Sequence, residues 1–148
     1  MYEIAPPEQG ISQGDILDDC PIFSLERPGG DPDAVWEVVE FRIRVVVMTQ
    51  ACDLAQDKTT RVVVAVVKTC EHLVAEGVLK PSTIKDNIRL HKVPGFYFLP
   101  SAPSPIALPE SIIDERDLHS VPKGLLIELA AEGKRLCRIV TPYREHLN

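Results

Sequence analysis

Residues 41–67 read FRIRVVVMTQACDLAQDKTTRVVVAVV. Two apolar runs dense in valine flank a polar loop that opens with Gln50, Cys52 and Asp53. β-Branched side chains lose little freedom on a pleated surface, so both runs predict strands. Residues 35–49 are rich in β-branched side chains, with a period of two in the first half. Val39, Phe41, Ile43, Val45 and Val47 share one face, and Glu40, Arg42 and Arg44 share the other. Val46 and Met48 are apolar on that second face, so the far end of the strand is expected to be covered on both sides. Residues 61–67 form the second strand. The loop over residues 50–60 reverses direction between them, and an antiparallel hairpin is the simplest connection.

Around this centre, turn signals divide the chain. Residues 1–13 contain prolines and predict an irregular surface segment. Gly14-Asp15-Ile16-Leu17 predicts a turn entering a strand that residues 21–25 continue. Residues 26–33, ERPGGDPD, cluster Pro and Gly and predict a loop. Thr69 is positioned to cap a short helix running through Glu76, with Gly77 as its stop. Residues 80–91 read two ways: Ser82 or Thr83 can start a helical turn, while NIRLHKV alternates like a strand. Residues 95–99 predict a short aromatic strand, residues 100–109 a proline-rich loop, and residues 111–121 a strand and turn. Residues 125–129 and 136–140 are read as a hairpin turning at Gly133, against a helix ended by that glycine. Thr141-Pro142 predicts a helix start, and residues 141–148 then read as a frayed turn or the beginning of a longer helix.

The chain has 148 residues, the size of one domain with one substantial core, and 45% of them are apolar, which excludes a disordered chain. Its 13 prolines and 5% aromatics imply many turns and an aliphatic core. No apolar run approaches the roughly 20 residues that span a bilayer, and no basic-then-apolar leader opens the chain. A soluble cytoplasmic protein without membrane contact is expected. The four cysteines, Cys20, Cys52, Cys70 and Cys137, include no CxxC pair, so free thiols are expected and a paired-knuckle zinc site is excluded. A net charge of −6 disfavours a broad nucleic-acid footprint and leaves room only for a local basic cleft.

Cys52, in the loop beyond a buried strand, is the sharpest chemical candidate, as nucleophile or metal ligand. Asp53 beside it works against a thiolate, because a negative neighbour raises a thiol's pKa. The bland alternative makes Cys52 a small buried hydrophobe and Asp53 a loop cap. His119 is the natural partner in either chemistry. Cys20, Cys52 and His119 together would supply three ligands and an open position for zinc. Arg42 and Arg44 on one face can hold a phosphate, or pair with Glu40 and the carboxylates of residues 114–117. Asp114-Glu115-Arg116-Asp117 can provide an acid/base pair, or be a solvated turn.

The order of elements resembles the PemK/MazF family of toxin-like proteins. The likeness rests on Gly14-Asp15-Ile16 at the opening strand, on Arg44-Val45-Val46-Val47, on the valine-rich residues 61–67, and on residues 113–121 near the end. It implies a mainly β fold: a small, strongly bent Src-homology-3-like barrel with one or two short helices and long loops, in one domain over residues 1–148. It also implies a bacterial stress, toxin–antitoxin or defence setting, with a protein partner or local nucleic-acid contact and room for a homodimer. Members that cleave RNA carry Arg-Pro at the strand start, where this chain has Arg44-Val45. They have Thr or Ser directly after the valine-rich strand, where Lys68 displaces Thr69. The expected function is therefore a non-catalytic or degenerate binding module. The alternatives are an active endoribonuclease, with Arg44 on phosphate and His119 or Asp114 in acid/base roles, and a cysteine- or metal-dependent enzyme using Cys52 and His119. Thr49-Gln50-Ala51-Cys52-Asp53 is also similar to a Ser/Thr-Gln-x-Cys-Asp segment of small uncharacterised bacterial proteins.

Overall fold

A computed structural model describes residues 1–55 and 59–147. Seven antiparallel strands form one sheet: β1 (Tyr2–Glu3), β2 (Asp15–Glu26), β3 (Glu37–Val47), β4 (Arg61–Thr69), β5 (Phe96–Leu99), β6 (Ser111–Pro122) and β7 (Arg135–Ile139). Their spatial order is β1-β7-β2-β3-β4-β6-β5. The β-rich expectation holds. The barrel does not close: among the described residues β1 pairs only with β7 and β5 only with β6, so the sheet keeps two ends.

The valine runs are buried on both faces at the sheet's centre. Leu17, Val45, Val47, Val62 and Val64 enter one apolar cluster, capped by Leu126 and Leu129. Ile16, Val46, Ala65 and Val67 enter a second cluster on the opposite face, with Leu108 and Leu147. Two-sided burial is why alternation gives way to an unbroken apolar run there. A third cluster gathers Leu73, Ile84, Ile88, Phe98 and Ile112.

Two irregularities bend the sheet. In β2 the pairing with β3 slips between Leu17↔Val45 and Cys20↔Ile43, and Asp19 takes φ 60°. In β6 it slips between Ala65↔Leu118 and Val66↔Asp114, so residues 115–117 bulge from the ladder. The acid-rich segment is thus a bulge within a strand rather than a turn between strands. Bulges sharpen local twist and re-aim side chains, which places Asp117 and His119 as described below.

The helices are short: α1 (Ala51–Ala55), α2 (Cys70–Ala75), α3 (Pro81–Thr83) and α4 (Lys123–Ala131). Thr69 caps α2 as expected: its hydroxyl accepts from the His72 amide at 3.1 Å, and Gly77 follows with φ 72°. Within residues 80–91, residues 81–88 resolve as helical, α3 continuing into a π turn over Ile84–Ile88 that buries its two isoleucines, and a turn follows with His91 at φ 58°. The expected hairpin over residues 125–140 is incorrect in its first half. Leu126, Leu129 and Ala130 are buried at helical spacing, and Gly133 (φ 79°) closes α4 while Lys134 N–H reaches Leu129 C=O. The apolar residues there serve a helical stripe as well as a strand, and packing on the β2 face decides it.

The N-terminal segment is irregular apart from β1. The loop expected over residues 50–60 carries α1, and its residues 56–58 lie outside the described residues. Tyr143–Leu147 form a 3₁₀ turn with Leu147 buried, where a frayed turn or the beginning of a longer helix was expected; residue 148 also lies outside the described residues. Among the described residues no helix is long and apolar enough to cross a membrane.

Candidate functional site

β3 and β4 pair only from Val45↔Val66 to Val47↔Val64. Beyond that point β3 stays with β2 and β4 stays with β6, so the strands splay. A cleft of about 370 Å³ opens in the splay, walled by Phe41, Ile43, Val66 and Lys68, with Asp117 and His119 beside them. A second cleft of about 440 Å³ continues past His119 towards Arg61 and Ser120. Both include Ile22 and His119, so they form one seam between the β2–β3 arm and the β4–β6 pair.

His119 sits opposite Val64 in the ladder. Its Nε2 lies 2.7 Å from Asp117 Oδ1, and its side chain is 25% exposed. The bulge at residues 115–117 brings these two together. With Nε2–H donated to the carboxylate, Nδ1 becomes an acceptor with no partner among the described residues. Such a ring can take a proton from, or hold, a polar group entering the seam.

The other expected site residues go elsewhere. Arg44 donates from Nε and Nη2 to both carboxylate oxygens of Asp18, at 2.5 and 3.1 Å, with 21% of its side chain exposed. That is the bidentate geometry a phosphate would need, already occupied. Arg42 lies 3.4 Å from Glu40, as expected, and 3.7 Å from Asp19. Asp114 accepts from the amide of Arg116 at 3.1 Å and from its Nε at 3.2 Å, so it is committed within its own bulge.

Cys52 is exposed on α1, with its sulfur 3.8 Å from Gln50 Oε1. The expectation that it is a buried hydrophobe is overturned: α1 turns Leu54, not Cys52, into the core. Asp53 is exposed in the first turn of α1, where its charge complements the helix dipole, and its amide donates to Gln50 C=O at 3.1 Å. No hydrogen bond or ion pair joins Cys52 to His119 among the described residues.

The zinc trio does not assemble. Cys20 is fully buried in the core, and burial pushes its thiol up to about 11. A protonated core thiol is a poor ligand at neutral pH. Among the described residues no three His, Cys, Asp or Glu side chains are grouped to hold a metal, so Cys20, Cys52 and His119 form no such set. Cys70 and Cys137 are buried, as expected.

Sequence reasoning missed one charged cluster. Asp15, in the Gly14-Asp15-Ile16 segment, is fully buried. It accepts from Ser12 N–H at 3.0 Å, from Arg135 Nη1 at 2.9 Å, and from Nε and Nη2 of Arg138. Arg135 also donates to the carbonyls of Pro6, Gln9 and Gly10, which ties the N-terminal segment down. Gly14, at φ 88°, approaches so closely that a Cβ would stand 2.9 Å from the Ile139 carbonyl. The legible signal was a carboxylate beside a glycine at a strand start; its partners lie about 120 residues away in the chain.

Compared with protein-family models, curated proteins and solved structures, the chain matches none.

Proposed function

We propose that the chain is a non-catalytic or degenerate binding module of PemK/MazF type, working in a bacterial stress, toxin–antitoxin or defence setting. The observation that carries this reading is Arg44. Its Nε and Nη2 are committed to the two carboxylate oxygens of Asp18 and its side chain is largely covered, so the bidentate face that would hold a scissile phosphate is already taken. The commitment of Asp114 to Arg116 supports the same reading. The mainly β sheet, bulged in β2 and β6, supports the reading at the level of fold class, and the seam is its natural binding surface.

Incubating the purified chain with single-stranded RNA tests this. Wild type, Arg44→Ala and His119→Ala are all expected to leave the RNA intact. Cleavage by wild type that is lost in His119→Ala would sink the binding reading.

The His119–Asp117 pair favours a second reading, an endoribonuclease or other hydrolase that uses His119 as its base. In that case Lys68, across the seam, would take over the phosphate-holding role expected of Arg44. Cleavage lost in both His119→Ala and Lys68→Ala, and kept in Arg44→Ala, is its signature.

A further inference from the structure

β3 changes neighbours along its length. Near Val47 it is flanked on both sides: Val47 C=O accepts from Gly14 on the β2 side, and Met48 N–H donates to Val63 C=O on the β4 side. In an antiparallel ladder both polar groups of a residue point to one neighbour, and the direction alternates with each residue. Counting back from Met48, the N–H and C=O of Arg42, Glu40 and Val38 point towards the side that β4 has left. Pairing with β4 ends at Val45, and outside the β2–β3 ladder these groups make no backbone hydrogen bond among the described residues.

The seam lies beside this free edge. Ile22, Ser24 and Glu26 of β2 line its near side together with Phe41 and Ile43 of β3, Val66 and Lys68 line its far side, and His119 is shared with the second cleft. Donor–acceptor pairs recur along the edge every second residue, about 6.8 Å apart. A small ligand satisfies one such pair. A nucleic-acid strand offers no matching row of alternating donors and acceptors. Another extended polypeptide satisfies them all.

We infer that the seam takes an extended peptide segment of a partner protein as an added strand on β3, with alternate aliphatic side chains resting on Phe41 and Ile43. A second copy of the chain is the poorer occupant. Its β3 would arrive with β2 attached, and Val66 and Lys68 of β4 and His72 of α2 already line the far side of the cleft. The inference names the partner class of the binding module proposed above and rests on that reading.

Selection of random twelve-residue phage-displayed peptides on the full chain, followed by synthesis of the best binders, tests it. Peptides alternating aliphatic and polar residues are expected. Arg42→Pro deletes an N–H on the free edge without taking one from the β2 ladder, and should weaken binding by about tenfold or more. Arg42→Ala keeps that N–H and should stay within about twofold of wild type. On binding, the amides of Val38, Glu40 and Arg42 should gain protection from hydrogen exchange, while those of Val39 and Phe41 stay as they were. If Arg42→Pro does not fold, Phe41→Asp replaces it as the weakening variant, read with the same exchange pattern.

No enriched peptide, equal loss in the Pro and Ala variants, or protection without this alternation would each overturn the inference. So would self-association of the free chain that Arg42→Pro abolishes, since the edge would then belong to a second copy. A failed selection with no RNA cleavage removes the added strand and leaves the binding module. His119-dependent cleavage removes the module reading whatever the peptides do.

Discussion

Asp15 and Asp117 are both carboxylates at irregular points of one sheet, and they stand at opposite extremes of saturation. Asp15 is fully buried and receives Ser12, Arg135 and Arg138 at once. Asp117 is partly exposed and holds one ring nitrogen of His119 at the seam. The difference follows from what surrounds each. Around Asp15, β2, β7 and the N-terminal segment converge, and desolvation demands that every lone pair be filled. Around Asp117 the sheet has come apart, and water can finish what the protein leaves open. The carboxylate that the sequence makes conspicuous, in Gly14-Asp15-Ile16, is therefore structural. The one hidden in an acid-rich run stands at the open surface.

The contrast breaks first at Asp15. Asp15→Ala strands two guanidiniums, of which Arg135 is almost wholly buried. It should cost about 3–5 kcal/mol in urea unfolding, enough to leave a marginal domain unfolded at 37 °C. A loss below about 1 kcal/mol would show that the cluster is not the clamp described here.

Next comes pH. Burial pushes Cys20 up to about 11 and Cys137 up to about 12, from an ordinary 9.0. Between those values the unfolded chain loses thiol protons that the folded chain keeps. Stability from these groups is thus complete below pH 9 and is lost as pH rises through 9 towards 11 and 12. Each thiol contributes a slope of at most about 1.4 kcal/mol per pH unit. Melting temperature should fall over that window, and Cys20→Ala should flatten the decline; an unchanged slope would contradict the buried thiol. In the native state a thiol reagent should label Cys52 and spare Cys20, Cys70 and Cys137, read by mass spectrometry.

Thr69→Ala removes the cap of α2 and should cost about 1 kcal/mol, measured by the same unfolding assay. Asp117→Asn is the smallest. A partly exposed pair open to water on one side is worth little, so stability should move by no more than about 0.5 kcal/mol. A larger loss would mean that the seam is as tightly built as the Asp15 cluster, and the contrast would fail.

Much of the fold was legible because local chemistry and tertiary outcome agree. The valine runs, the turn at residues 26–33, the aromatic strand and the Thr69-capped helix with Gly77 behind it follow from side-chain branching, hydroxyl capping and glycine's tolerance of positive φ. Residues 125–129 were misread because an apolar stretch that short fits either period, and only the β2 face beneath it chooses the helix. The site was legible in parts. His119 stands out in the sequence, but for a partner it does not meet, and of the two readings of Cys52 the buried one fails, because α1 carries it to the surface.

The antiparallel pair over residues 41–67 and its two-sided burial are already written in the chain, since β-branched density and periodicity act over neighbours a few residues apart. The tertiary structure alone decided where that pair stops. The splay of β3 from β4, the bulge that joins Asp117 to His119 and the capture of Arg44 by Asp18 depend on register and on competition between distant strands. Register is a global compromise among all the faces that must be buried, and it leaves no local signature in the residues that it exposes.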